Sequence, residues 1–335
     1  MADRSVYWKG KQVLVTGANG FVGSWLTDYL VSYGANVIVL EKEVLKDSIF
    51  EQKNLRTKCK IISGVLEDFE LMQQIMREHE IEIIFHLAAQ TQVTDAYKDP
   101  FTTMESNVRG TYNLLEAIRR HKPNARVIVA SSDKAYGSHE KLPYTEDFAL
   151  QGRGPYDVSK SCIDLIAQSY HQTYGLHITI SRCGNFFGPG DLNFDRIVPG
   201  AIAAILKGEQ FLIRSDGTFT RDYIYVKDAA DSYLTLAEKM DELKDENKDK
   251  KNIDGEAFNF TNETQLNVLQ FYEMIAKLMK SDLKPKILNI AKAEIKHQHL
   301  SAEKAKQVLG WSAKYSIEEG LRETIPWYKE MLTKR

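Results

Sequence analysis

The chain has little cysteine, no long apolar run and almost no charge imbalance, and each shortage removes a class of function. Cys59, Cys162 and Cys183 are its only three cysteines, widely spaced and without a CxxC pair. They argue against a disulfide framework or a cysteine-based zinc site and read as reduced thiols. No stretch approaches the roughly 18–20 apolar residues of a membrane helix. The opening Met1-Ala2-Asp3-Arg4-Ser5 lacks the apolar run of a secretory signal. A soluble, cytoplasmic protein with no membrane partner is expected. Lys plus Arg number 44 against 46 Asp plus Glu, a formal net charge of −2. That balance gives no bulk attraction to nucleic acid or anionic lipid. No internal repeat is present, and the charge-rich stretch Lys239–Asn252 reads as a solvated loop or ragged helix end. At 335 residues the chain can bury a substantial core in one large or two modest domains.

What is present is alternation. Short runs rich in Val and Ile at Gln12–Thr16, Asn36–Leu40, Lys60–Ser63, Glu82–Leu87, Arg126–Ala130 and His177–Ser181 predict strands. Between them Phe21–Tyr33, Asp68–His79, Thr103–Arg120 and Tyr156–Tyr174 carry apolar residues at helical spacing. Alternation of this kind requires parallel pairing through crossover helices, hence an α/β fold with a doubly wound parallel sheet. After Arg182 the pattern breaks. Asn185–Asp195 predicts a long loop, followed by a helix at Pro199–Lys207, a strand at Phe211–Arg214, and Asp222–Val226 leading into the helix Ala229–Lys239. A strand at Ala257–Thr261 and helices near Leu269–Met279 and Ser301–Leu309 follow. A dinucleotide-binding domain is expected over residues 1–185, with 222–240 returning to it, and a smaller substrate-binding cap over 186–335.

Val13-Leu14-Val15-Thr16-Gly17-Ala18-Asn19-Gly20-Phe21-Val22-Gly23 spells a strand, a glycine-rich turn and a helix start. Gly17 permits the tight turn, Gly20 clears the way for a pyrophosphate, and Gly23 lets helix and strand pack closely. Gly17, Asn19, Gly20, Phe21, Val22 and Gly23 are therefore the candidate cofactor loop. The next strand ends at Glu41, where a carboxylate suits a ribose hydroxyl pair and repels a 2′-phosphate. NAD is favoured over NADP, with Lys42 alongside.

The GxxGxxG spacing resembles the extended short-chain dehydrogenase/reductase superfamily, and other motifs agree over about Trp8 to Trp327. His86-Leu87-Ala88-Ala89-Gln90 looks like that family's cofactor-lining turn, and Asn107 matches its structural asparagine. Thr220-Arg221-Asp222-Tyr223-Ile224-Tyr225-Val226 resembles its segment for a sugar-nucleotide diphosphate. The resemblance implies cofactor contacts at Leu66, Leu87, Ala88, Ala89 and Gln90. Val65 stands where the family usually has an adenine-binding Asp, which leaves adenine to backbone groups or to Asp68.

Tyr156 and Lys160 lie four apart at a helix start and project from one face. A lysine ammonium near a phenol lowers its pKa and makes Tyr156 a base, while Ser132 donates to the substrate oxygen. That trio oxidises an alcohol to a ketone. Asp133 and Lys134 add a second acid/base pair. Once C4 of a hexose is a ketone, one group must remove the C5 proton and another must protonate the departing C6 hydroxyl. Lys134 is the candidate base and Asp133 the candidate acid. The alternative is a structural ion pair at the strand end.

The Asp-Lys form, with Tyr7-Trp8-Lys9-Gly10-Lys11 and Gly23-Ser24-Trp25-Leu26, resembles the CDP-glucose 4,6-dehydratase branch of the superfamily. The stretches 182–191 and 195–199 agree with it, whereas Thr91–Asp95 lacks that branch's basic residues. The resemblance implies an NAD-dependent nucleoside-diphosphate hexose 4,6-dehydratase and a homodimer. A sugar-nucleotide 4-epimerase and a non-catalytic NAD-binding regulator are the alternatives. Substrate contacts are expected at Gln90, Asn185, Arg196, Arg214 and Arg221, with Arg182 a further diphosphate clamp. Phe186, Phe187 and Phe211 line a base pocket or belong to the core. No metal site is expected, since His297-Gln298-His299 has no further ligands and reads as exposed.

Overall fold

The computed structural model describes residues 4–245, 252–290 and 295–334. Strands β1 (Gln12–Thr16), β2 (Asn36–Glu41), β3 (Lys60–Ser63), β4 (Ile83–His86), β5 (Arg126–Ala130) and β6 (His177–Cys183) fall on the expected apolar runs. Further on lie β7 (Asn185–Phe187), β8 (Leu212–Ile213), β9 (Thr220–Tyr225), β10 (Ala257–Phe260), β11 (Gln265–Asn267) and β12 (Lys286–Ile287). Seven strands form one sheet in the order β10-β6-β5-β4-β1-β2-β3, every neighbouring pair parallel. β11-β9-β7 and β12-β8 form two small sheets beyond it.

Helices cover both faces of the large sheet, which is why its strands read as unbroken apolar runs. Alternate side chains enter different cores. Val13 and Val15 pack with Trp25 and Leu26 of the helix Phe21–Ser32 and Tyr233 of the helix Val226–Asp245, whereas Leu14 packs with Ile75, Leu114 and Ile118.

Several expectations are corrected. The segment 185–195 is not all loop, because β7 opens it and pairs with β9. The helix expected at Ala229–Lys239 runs from Val226 to Asp245, so the charged stretch starts as helix; residues 246–251 lie outside the described ones. The return to the large sheet is not confined to 222–240, since β10 lies beside β6 as the edge strand. All four β10 side chains are buried there. The helical run Thr103–Arg120 is broken by a π turn at Glu105–Arg109, leaving helices Pro100–Met104 and Gly110–His121 on either side.

Candidate active site

Strand order reverses between β1 and β4, and such a switch opens a crevice at the carboxyl ends of the strands. A cleft of about 790 Å³ occupies it, running from the glycine loop to Ser132, Tyr156 and Lys160. Gly17 takes φ +76°, and a Cβ there would lie 2.8 Å from the Ala88 nitrogen. A Cβ on Gly23 would lie 2.0 Å from the Gly17 carbonyl oxygen. The turn is thus packed to a hydrogen atom's tolerance. Gly20 begins the helix Phe21–Ser32 with no side chain capping its first turn. Bare backbone at a helix N-terminus beside a large cleft fits a dinucleotide pyrophosphate. Asn19, Phe21, Val22, Leu66 and residues 87–90 line the same cleft.

A directed chain of hydrogen bonds fixes the wall opposite the loop. Ala88 N–H donates to Thr16 Oγ1 (3.2 Å), Thr16 Oγ1 meets His86 Nδ1 (2.9 Å), His86 Nε2 meets Thr111 Oγ1 (2.9 Å), and Thr111 donates to the Asn107 carbonyl (2.6 Å). The Thr111 proton is committed to Asn107, so His86 donates from Nε2 and accepts at Nδ1. Burial, reinforced by the Lys160 charge, pushes the His86 pKa down to about 3. Asn107 then grips the following turn, accepting from Gln90 N (2.7 Å) and donating to Gln90 O (3.0 Å) and Ser159 Oγ (2.9 Å).

Two expected adenosine contacts are corrected. Glu41 ends β2, but its carboxylate is only 4 % exposed and is gripped by both Arg56 terminal nitrogens, at 2.6 and 3.1 Å. Glu51 holds the same guanidinium from the other side, and Leu40, Lys42 and Glu43 form the cleft wall there. Asp68 caps the helix Phe69–Glu78 by accepting from Leu71 N (3.0 Å), so its side chain is committed locally.

Pro155 in the first turn and a left-handed Gly175 bound the helix Pro155–Tyr174, which carries Tyr156 and Lys160 on successive turns. Buried Lys160 donates to the Ala130 carbonyl (2.8 Å), its Nζ 5.9 Å from the Tyr156 ring centroid. Burial lowers its pKa to about 8, against the opposing charges of Asp164 and Cys183. The expected lowering of the phenol is reversed here. Burial and then the Asp133 charge push the Tyr156 pKa up, with Ser132 and Arg196 opposing. Ser132 Oγ donates to Asp133 Oδ1 (3.0 Å) and accepts from Lys134 N (3.2 Å), so its proton points to Asp133. Asp133 is buried and lines the cleft, and its Oδ2 has no hydrogen-bond partner among the described residues. A buried carboxylate oxygen left unpaired is costly unless a ligand meets it.

Gln298 is a residue that sequence reasoning misses. It is fully buried, not exposed, because bridges from Thr220 to His297 and from Tyr144 to Leu300 draw its segment beneath the site. Its amide donates to the Asp133 carbonyl (2.8 Å) and accepts from Lys134 Nζ. No spacing signal marks it. Cys183, Asp191 and Tyr233 also line the cleft unannounced.

A smaller pocket of about 220 Å³ adjoins the cleft; Asn185, Arg196 and Arg214 border both, and Arg221 borders the smaller one. Arg221 also donates to the carbonyls of Thr220 and Lys296 (2.9 and 3.1 Å). Phe186, Phe187 and Phe211 contribute to its wall, Phe211 stacking on Tyr272 at 5.9 Å. Arg182 is corrected. It is 3 % exposed, bidentate to Asp164 (2.8 and 2.9 Å) and bonded to Tyr136 OH (2.9 Å), which makes it a buried strut.

The family model described as GDP-mannose 4,6 dehydratase matches residues 14–324. The CDP-glucose 4,6-dehydratase of Salmonella typhimurium is 29% identical, the match covering 98% of this chain and 93% of the relative. The dTDP-glucose 4,6-dehydratase of Xanthomonas campestris pv. campestris is 27% identical over 94% and 92%. Among solved structures, the UDP-glucose 4-epimerase of Thermotoga maritima with UDP-glucose superposes with a TM-score of 0.86 at 29% identity, covering 96% of this chain and 99% of that one.

Proposed function

The chain belongs to the GDP-mannose 4,6-dehydratase family, and from that premise we propose that it dehydrates a nucleoside-diphosphate hexose to the 4-keto-6-deoxy product, CDP-glucose being the favoured substrate. The observation that carries this reading is that Asp133 and Lys134 line the same cleft as Ser132 and Tyr156. Oxidation at C4 alone needs no second acid/base pair, whereas loss of water across C5 and C6 does. Bound along the glycine loop, NAD supplies the hydride acceptor at C4 and the donor at C6.

Tyr156 takes the O4 proton, with the Ser132 hydroxyl turned to the same oxygen. Lys134 takes the C5 proton and returns it to C5 when C6 is reduced, while Asp133, a carboxylate until it gains the proton released at O4, gives that proton to O6 as water leaves. Arg196 and Arg214, bordering both cavities, suit a diphosphate that crosses from one to the other. Gln90 and Asn185 line the cleft and serve the sugar end, while Arg221 serves the nucleotide end. The working form is a cytoplasmic homodimer. Leu165 and Tyr174 on the helix Pro155–Tyr174 are 53% and 54% exposed, and Tyr112 on the neighbouring helix is 41% exposed, which supports pairing through these helices.

A 4-epimerase is the second reading, favoured by the likeness to the Thermotoga maritima enzyme. It would use Tyr156 and Ser132 but leave Asp133 and Lys134 without a task. The test is incubation of the purified protein with CDP-, UDP-, GDP- and dTDP-hexoses followed by mass measurement. Loss of water supports the dehydratase, and an unchanged mass with a new epimer supports the epimerase. No turnover of any of them supports a non-catalytic NAD-binding regulator.

A further inference from the structure

We infer that Gln298 is a positioning residue for the elimination, holding the Lys134 amine beside Asp133 without itself touching substrate. This rests on the proposed role of Lys134. Gln298 is fully buried and lines neither cavity, whereas Lys134 lines the cleft. The amide has one possible orientation. The Asp133 carbonyl only accepts, so it takes the amide N–H at 2.8 Å; the carboxamide oxygen is thereby turned to Lys134 Nζ, which donates to it. A neutral acceptor serves the amine in both protonation states, since ammonium and amine alike can donate to it.

The anchor is itself fixed. Gln298 N donates to the Thr220 carbonyl (3.3 Å), Tyr144 N to the His299 carbonyl (2.9 Å), and Leu300 N to an Asp222 carboxylate oxygen. Upstream in the same segment, the Lys296 carbonyl accepts from Thr220 N (3.0 Å) and from Arg221, which borders the smaller pocket. One strap therefore sets the height of Lys134 over the cleft and the register of the pocket wall. Among the charges at this wall, Lys134 acts on Asp157 of the helix Pro155–Tyr174, and the Asp133 carboxylate acts on both Asp157 and the Tyr156 phenol. An amide between Lys134 and the strap adds no further charge to that set.

Three variants test the inference: Gln298→Met, Gln298→Glu and Lys134→Met. In Gln298→Met, water loss should slow by about a hundredfold, the size of effect a misplaced reacting group produces. KM for the nucleotide sugar should stay within about twofold, and reduced nicotinamide should accumulate in a single turnover because oxidation outlives elimination. Gln298→Glu keeps the volume, gives up the N–H that the Asp133 carbonyl accepts, and as a carboxylate grips Lys134 as a cation, so the acid limb of the pH profile for water loss should move up by about one pH unit or more. A role in packing alone would slow oxidation and elimination by the same factor and leave the acid limb where it was. Either of those results from folded protein overturns the inference. Should Gln298→Met fail to fold, the pH profile of Gln298→Glu decides. Parental water loss in Lys134→Met would remove the base assignment and this inference with it. Loss of elimination in Lys134→Met, with both Gln298 variants unaffected, would remove Gln298 alone.

Discussion

Burial moves the Tyr156 phenol up and the Lys160 ammonium down to about 8, so both side chains are driven toward neutral forms. Proton removal from O4 and from C5 are separate tasks, and two substitutions should separate them. Lys134→Met is expected to abolish water loss while sugar oxidation still produces reduced nicotinamide, seen by absorbance on mixing with substrate. Tyr156→Phe should produce none, and appreciable absorbance from it would exclude Tyr156 from the first step. Gly23→Ala tests the loop. Its new Cβ would meet the Gly17 carbonyl oxygen at 2.0 Å, and relieving such overpacking costs about 1–3 kcal/mol. Affinity for NAD, read by calorimetry, should fall roughly 5- to 150-fold; parental affinity would mean that the loop gives way freely. That Ser132, Asp133, Lys134, Tyr156 and Lys160 share one cleft was legible in the sequence, because neighbours in the chain are neighbours on a strand end or helix turn. Arg56, Arg182 and Gln298 were not. Their partners are fixed by tertiary packing, and a lone Arg or Gln carries no pattern.

The elements were legible to the extent that both faces of a strand are buried, since β1, β2 and β5 then become Val and Ile runs. Membership in the sheet was less so: Ala257–Phe260 reads as a strand, but nothing in it says that its partner is β6. The helix Ile317–Thr333 is absent from the sequence reading, although Ser316 and Glu319 form the capping box that starts it. At the junction of β1 and β4 the buried His86 gives the fold a dependence on acid. Its pKa falls from an ordinary 6.5 to about 3, so between those values the unfolded chain binds a proton that the folded chain refuses. Its contribution is therefore full above about pH 6.5 and is lost progressively as pH falls toward 3, on the order of 4 kcal/mol by the end. His86→Gln can repeat one donor and one acceptor but has no such titration. Urea unfolding at stepped pH should show a flatter decline for the variant, and equal declines would clear His86 of the effect.

At the scale of the whole molecule, the proposed pairing of the helices Gly110–His121 and Pro155–Tyr174 predicts a particle of twice the chain mass of 38.2 kDa. Light scattering at micromolar concentration checks it, and a 38.2 kDa particle would refute the dimer. A break near residue 185 was legible because strand–helix alternation stops there, and the next strand, β7, joins β9 in a small sheet instead of the large one. The later return of the chain was only partly legible, since it depends on which surfaces remain uncovered. The helix Val226–Asp245 covers the helix Phe21–Ser32, and Arg4, Tyr7 and Trp8 fasten to it through Asp231, Asp241 and Glu238.

That threading has a consequence for the order of synthesis. As a chain leaves the ribosome, residues 1–185 emerge with β6 lacking its outer neighbour and with the Phe21–Ser32 helix uncovered. The glycine loop is thus among the first parts made, yet the helix Phe21–Ser32 that it opens waits for its cover until Asp245 has cleared the exit tunnel. Nascent chains arrested at residue 185 should be cut readily by protease and fail to hold NAD, whereas chains arrested well beyond residue 300 should resist and hold it. Equal resistance at the two arrest points would mean that the early half is complete without its late strand.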